Sequence, residues 1–362
     1  MIYVGSLQYS PVYKSHCCAF GKACEEAGYS IGYIFSRDYE WMLPDEVKAK
    51  TVFVGRTRNI PTMLRGVLKV KNMLAIRRIF SEEKPTHVYL HNYHLLNHYI
   101  AKNCKSHGCK FIYHVHEPYV ETKSAHGGLQ HYWLYLSEYM EERLLKNTDV
   151  AIVSSMEASR LFDMRYPWFK GKKVIVPLMY EDLGENHFSI NERKYITFVG
   201  PPVPAKGPRK FLEIVDYSAK NNLGWSFLLI SRSKINNPEF YGRTNLTIFY
   251  KQRISDEELG NLIRKSLVVL TPYTRETQSS VILVSYMYGT PVVSSNVGGL
   301  PEFVKQGETG YLVDKDAPAE KWVDGIALVR KNFRKLSINC RRFFVENFSG
   351  KNWKKYLDAV LK

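Results

Sequence analysis

The stretch Tyr195-Ile196-Thr197-Phe198-Val199-Gly200-Pro201-Pro202-Val203-Pro204-Ala205-Lys206-Gly207 decides the fold. Its first five residues are mostly apolar, β-branched or aromatic, and read as a buried strand. A Gly- and Pro-rich loop follows, and the pattern over 208–221 then reads as a helix. Strand, loop and helix in that order belong to an α/β layer. A Lys where such a loop meets a helix suits a phosphate, because free N–H groups, the positive dipole end and a full charge coincide. Taken alone, the same residues read better as a surface loop with an exposed Lys.

Working outward, the alternation continues. Strands are expected near 226–231, 245–249, 267–270 and 291–294, with helices near 255–265, 278–288 and 318–331. Before it, strands are expected near 1–4, 30–35, 51–54, 87–91, 110–115, 150–153 and 173–176. Helices between them fall near 15–27, 61–80, 95–106, 132–147 and 156–164. The polar stretch Tyr180 to Arg193 interrupts this rhythm and suits a linker. A chain of 362 residues fits two α/β domains better than one core. Two doubly wound lobes with a cleft between them follow, and ligands are expected at the carboxyl ends of strands.

Composition narrows the classes. Hydrophobic residues are 45% and charged residues 24%, the balance of a globular protein. The formal charge of +16 attracts polyanions without choosing among nucleic acid, acidic lipid and phosphorylated substrates. Six cysteines include no CxxC pair and read as reduced thiols. No leader is expected before the Met1 strand, and no apolar run reaches the roughly 18 residues of a membrane span. A cytoplasmic protein, soluble or peripheral on the inner face of the membrane, is the expectation. The 25 tyrosines raise single-strand nucleic-acid binding, but no nucleic-acid module is present, so no such partner is expected.

Further segments follow the opening stretch: Val268-Val269-Leu270-Thr271-Pro272-Tyr273-Thr274-Arg275-Glu276, then Gly289-Thr290-Pro291-Val292-Val293. Gly298-Gly299-Leu300-Pro301-Glu302 and Gly307-Glu308-Thr309-Gly310-Tyr311-Leu312-Val313 complete the set. In this order, Gly200 to Val313 resembles the group 1 glycosyltransferases, a retaining family of GT-B fold. His87-Val88-Tyr89-Leu90-His91 and Phe111-Ile112-Tyr113-His114-Val115-His116-Glu117 resemble that family's two His-bearing strands. Phe348-Ser349 with Trp353 resembles its C-terminal helix entry.

The resemblance implies two Rossmann-like lobes: an acceptor-side lobe over 1–182 and a nucleotide-sugar lobe over 183–345. It also implies a helix over 346–362 that returns to the first lobe. It implies that Lys206 stabilises a donor diphosphate, that Glu276 holds sugar hydroxyls and that His116 lies near the reacting sugar. Gly200, Thr277, Gln278, Ser279, Ser280, Gly298, Gly299 and Glu302 would line the donor site, and Ser10 to His16 the acceptor side. The donor would be UDP- or GDP-linked, the acceptor a glycan, a lipid-linked molecule or a small molecule, and no metal cofactor is expected. A place in cell-surface polysaccharide synthesis follows as an expectation.

The chain also departs from that pattern. Pro201 stands where an Arg is usual, and Val284 where a second Glu holds ribose hydroxyls. Arg232, Arg253 and Arg275 are candidates to supply the missing charge, with Arg232 placed in the donor site. These losses leave an alternative: a weakly active or inactive GT-B protein serving as a carbohydrate-binding or partner subunit.

Three features keep plain readings. His87, His91, His94, His114 and His116 look metal-rich, but strand parity keeps all five from converging. Asp314-Lys315-Asp316 reads as a solvated turn. The run 63–80 carries five positive and no negative charges with apolar residues at helical spacing. It suits an anionic membrane surface and equally a lobe helix with its basic face in water.

Overall fold

The computed structural model describes residues 1–57, 60–118, 129–184 and 192–362. Two compact units result, Met1–Glu181 with Ser349–Lys362 and Asp182–Phe348. Of the linker expected over 180–193, residues 185–191 lie outside the described ones.

The first unit holds seven strands: β1 (Ile2–Ser6), β2 (Ile31–Ser36), β3 (Thr51–Val54), β4 (His87–His91), β5 (Lys110–His114), β6 (Val150–Val153) and β7 (Lys172–Ile175). They form one sheet in the order β3-β2-β1-β4-β5-β6-β7, with every pair parallel. The second unit holds β8 (Tyr195–Val199), β9 (Ser226–Ser231), β10 (Leu246–Tyr250), β11 (Ser266–Thr271), β12 (Val292–Ser295) and β13 (Gly310–Val313). Their order is β10-β9-β8-β11-β12-β13, again all parallel. Both sheets reverse direction of growth between their first and fourth strands. A crevice at that switch point is where doubly wound sheets hold ligands.

The strands are near-continuous apolar runs because helices cover both faces. In the first unit, Phe20, Phe35, Tyr89 and Ile152 belong to the core on one face, while Phe80, Leu90, Phe111 and Tyr113 belong to the other. The C-terminal segment completes the first of these cores. Trp353 is buried edge-on to Phe20 at 4.8 Å, and Val360 and Leu361 join it. In the second unit, helix Ala319–Asn347 and helix Pro208–Lys220 share one face, with Trp322, Phe333 and Phe211 in the core.

Three helices differ from the sequence reading, and the one expected over 346–362 is a 3-10 turn, Gly350–Lys355, followed by a short helix, Leu357–Leu361. The one expected over 61–80 is two, Ile60–Leu68 and Val70–Arg78, separated by Lys69 in an extended conformation. The buried Asn72 side chain donates to Gly66 O at 2.6 Å, closing the corner between them. The helix expected over 318–331 continues to Asn347 through a kink at Asn332. No described helix is long and apolar enough to cross a membrane.

Candidate functional site

In the second unit the loops after β8 and β11 leave neighbouring strands at the switch point. Gly207 sits between them with φ +63, and a side chain there would drive into the Pro272 carbonyl. Thr274 N donates to Ala205 O at 2.9 Å, which stitches the loops together. Lys206 is thereby brought onto Glu276, and the two side chains form an ion pair. Lys206 Nζ also lies 4.0 Å from the centre of the Tyr273 ring. Glu276 is 6% exposed, so its carboxylate is shielded from bulk solvent, while the Lys206 side chain, 26% exposed, still reaches it.

Glu276 is fixed by its backbone as well. Gly299 N donates to Glu276 O at 2.9 Å. Gly298 has φ +50, and a Cβ there would collide with the same carbonyl. Thus Lys206, Glu276, Gly298 and Gly299, read from separate segments, occupy one place. Thr277, Gln278 and Ser279 are buried behind Glu276 and lead into helix Ser280–Met287, where Ser280 is half-buried. Thr277 Oγ1 has no hydrogen-bond partner among the described residues. Burial pushes the Tyr273 phenol up while Lys206 opposes that shift, so a neutral ring lies beneath the cation.

The remaining candidates are more peripheral. Gly200 N donates to Ile230 O at 2.9 Å, and Gly200 turns the chain with φ +126. Arg232 donates to Ile254 O at 3.0 Å, which holds its guanidinium against the loop after β10. Glu302 is half-buried on the short helix Leu300–Phe303. Val284 is half-buried on helix Ser280–Met287 and Pro201 is exposed.

In the first unit, the histidines converge more than strand parity alone suggests. Parallel register sets His91 beside His114, with ring centres 4.2 Å apart. His116 follows β5, and its Nδ1 lies 3.4 Å from His91 Nε2. His16, on helix Pro11–Glu26, stacks on His91 at 5.3 Å and donates from Nδ1 to Met179 O at 2.7 Å. Tyr13, one turn earlier, packs against His91 at 4.5 Å and His116 at 5.1 Å. Burial lowers His16 to about 3 and holds His91 and His114 well below the usual imidazole range. His87 lies apart, bonded to Leu361 O at 2.9 Å. Among the described residues no three His, Cys, Asp or Glu side chains form a group able to hold a metal ion. Asp314–Asp316 is a turn, closed by Asp316 N donating to Asp314 Oδ1 at 2.8 Å.

Residues 193–332 match the family described as Glycosyl transferases group 1, and residues 14–177 match Glycosyltransferase Family 4. The chain carries a group 1 glycosyltransferase domain. A D-inositol 3-phosphate glycosyltransferase of Corynebacterium efficiens is 32% identical over 144 residues, covering 37% of this chain and 34% of that protein. The relative of that name in Mycobacteroides abscessus is 28% identical over 181 residues, 47% of this chain and 39% of its own. The matched stretch therefore spans between a third and two-fifths of those relatives.

Solved structures cover the chain more completely. A glycosyltransferase from Rickettsia africae superposes with a TM-score of 0.72 at 14% identity, over 100% of this chain and 97% of its own. Anabaena HepE in complex with UDP gives 0.67 at 12% identity, over 99% of both chains. The fold is GT-B.

Sequence reasoning passed over Tyr273 under Lys206 and the partners of the histidines, Tyr89 and Ser154. Tyr273 directly follows the strand-ending Thr271-Pro272, so its position carried a signal. Ser154 carried none, because its contact depends on the pairing of β5 with β6.

Proposed function

We propose that this protein transfers a sugar, with retention of anomeric configuration, from a UDP- or GDP-linked donor to a hydroxyl of a glycan, lipid-linked or small-molecule acceptor. The observation that carries this reading is the Lys206–Glu276 pair, its carboxylate buried, held against the Gly298-Gly299 backbone at the switch point of the second sheet. Lys206 would exchange its carboxylate partner for the donor diphosphate, and Glu276 would then accept bonds from sugar hydroxyls. The bond from the anomeric carbon to the phosphate oxygen breaks, and the acceptor oxygen bonds to that carbon on the same face. Its proton passes to the departing phosphate, so no side-chain base and no metal is required. A phosphorylated polyol is a sensible first acceptor, given relatives named as D-inositol 3-phosphate glycosyltransferases. A UDP-linked donor is the first to test, because a neighbour of the same fold is described in complex with UDP-glucose.

The assay is release of nucleoside diphosphate that depends on acceptor, with the product anomer read by NMR. Turnover abolished in Glu276→Ala supports the reading, and an inverted anomer contradicts it. Val284, on the helix beside the site, favours a second reading as a sugar-binding subunit. Binding without turnover across donors and acceptors is the outcome that selects it.

The same reading includes a membrane surface on the inner face. Leu64, Leu68, Val70 and Leu74 are exposed, beside exposed Arg65, Lys69, Lys71, Arg77 and Arg78. Apolar residues beside clustered cations complement anionic lipid. Flotation with phosphatidylglycerol vesicles, lost in Lys69→Glu/Lys71→Glu and absent with phosphatidylcholine, is the expected result. Equal flotation of the variant contradicts it.

A further inference from the structure

Five side chains in the first unit form a continuous line of polar contacts. Ser154 Oγ is 2.6 Å from His114 Nε2, and His114 Nδ1 is 2.8 Å from Tyr89 Oη. Tyr89 Oη is 3.3 Å from His91 Nδ1, and His91 Nε2 is 3.4 Å from His116 Nδ1. Ser154, His114, Tyr89 and His91 are buried, none more than 1% exposed. Desolvation keeps His91 and His114 neutral, so each donates at one nitrogen and accepts at the other.

Neutral rings permit only two self-consistent directions. In one, Ser154 donates to His114, His114 to Tyr89, Tyr89 to His91 and His91 to His116. In the other, every link reverses. Tyr89 has one hydrogen and no other described partner. Any mixed arrangement therefore orphans that hydrogen or sets two lone pairs face to face.

Ser154 separates the two directions. Its hydroxyl has His114 as its one side-chain or backbone partner among the described residues. If His114 donated, the buried Ser154 hydrogen would have no acceptor. If Ser154 donates, every hydrogen from Ser154 to His91 is used, and only acceptor lone pairs among these buried groups stay unfilled. A buried orphan donor costs more than an under-used acceptor. The line therefore runs from Ser154 to His116.

We propose that Ser154, His114, Tyr89 and His91 are positioning residues that fix His116 as the Nε2–H tautomer. His116 then acts as a hydrogen-bond donor at Nε2 and not as a base. Its Nδ1 lone pair is engaged by His91. In the transferase reading, on which this role rests, His116 meets an oxygen of the sugar or phosphate with an N–H. Proton removal from the acceptor falls to the leaving phosphate.

The test is 15N NMR of histidine-labelled full-length protein at neutral pH, with His116 assigned by difference from His116→Gln. A single neutral Nε2–H tautomer for His116 is expected. Tyr89→Phe, which keeps the packing on Phe20 and Trp353, should convert it to an average of both tautomers. Tyr33→Phe, a buried tyrosine outside the line, should leave it unchanged. An Nδ1–H tautomer in the wild type, or a His116 pattern indifferent to Tyr89→Phe, overturns the proposal. Turnover gives a separate readout: Tyr89→Phe should lower kcat by about fivefold, the worth of one hydrogen bond, with KM unchanged. A protein that turns over no donor but shows the expected tautomers leaves the proposal standing and counts against the transferase reading alone.

Discussion

Lys206 and Glu276 neutralise each other, and that pairing defines what each is worth to a ligand. A half-buried cation stacked on a buried tyrosine would act on any phosphate that displaces its carboxylate partner. Lys206→Ala is expected to lower kcat/KM for transfer by about 10²- to 10³-fold, the typical loss of one transition-state charge contact, in steady-state kinetics. Gly298→Ala is expected to lose donor binding and to lower the melting temperature, because the new methyl collides with the Glu276 carbonyl and the left-handed backbone disfavours a side chain. Calorimetry paired with thermal melting checks this. Lys206, Glu276 and the glycines were legible because their spacing forms a pattern along the chain. Ser154 was not, since its importance arises from what lies beside it across strands, and Tyr273 was marked only by its place just after β11.

At the scale of elements, short apolar runs marked every strand except β13, Gly310–Val313. Parallel strands covered on both faces must be apolar throughout, so length and flanking turns suffice to find them. Helix ends were harder. Lys69 breaks a run of good periodicity because the Asn72 side chain rewards a corner there. Asn332 kinks helix Ala319–Asn347 without ending it, as Phe333, Leu336 and Phe344 continue the buried face. The return of the C-terminal segment rests on Trp353, which fills the core beside Phe20. Trp353→Ala is expected to destabilise the first unit by about 3–5 kcal/mol, the usual cost of truncating a buried aromatic. Urea unfolding followed by circular dichroism measures it.

For the whole molecule, buried neutral histidines set an acid limit. His16 and His94 are held at about 3 by burial, against about 6.5 in an unfolded chain. Between those values the unfolded state binds the extra protons. Stability is therefore complete above pH 6.5 and falls as the pH drops toward 3. Each such histidine costs about 1.4 kcal/mol per pH unit in that window. From pH 7.5 to 5.5 the two together predict a fall in Tm of about 5–10 °C. A melting temperature that holds steady over that range contradicts their burial as neutral rings.

A second unit that binds a sugar nucleotide through Lys206 and Glu276 must lose affinity when Lys206 is removed. Calorimetric titration of the wild type and of Lys206→Ala with UDP, GDP and their sugar conjugates tests it most directly. Binding of one nucleotide is expected with a Kd in about the micromolar range, weakened about tenfold or more in the variant, as loss of one charged hydrogen bond requires. No binding of any of them to well-folded wild type, or equal binding by the variant, would contradict it.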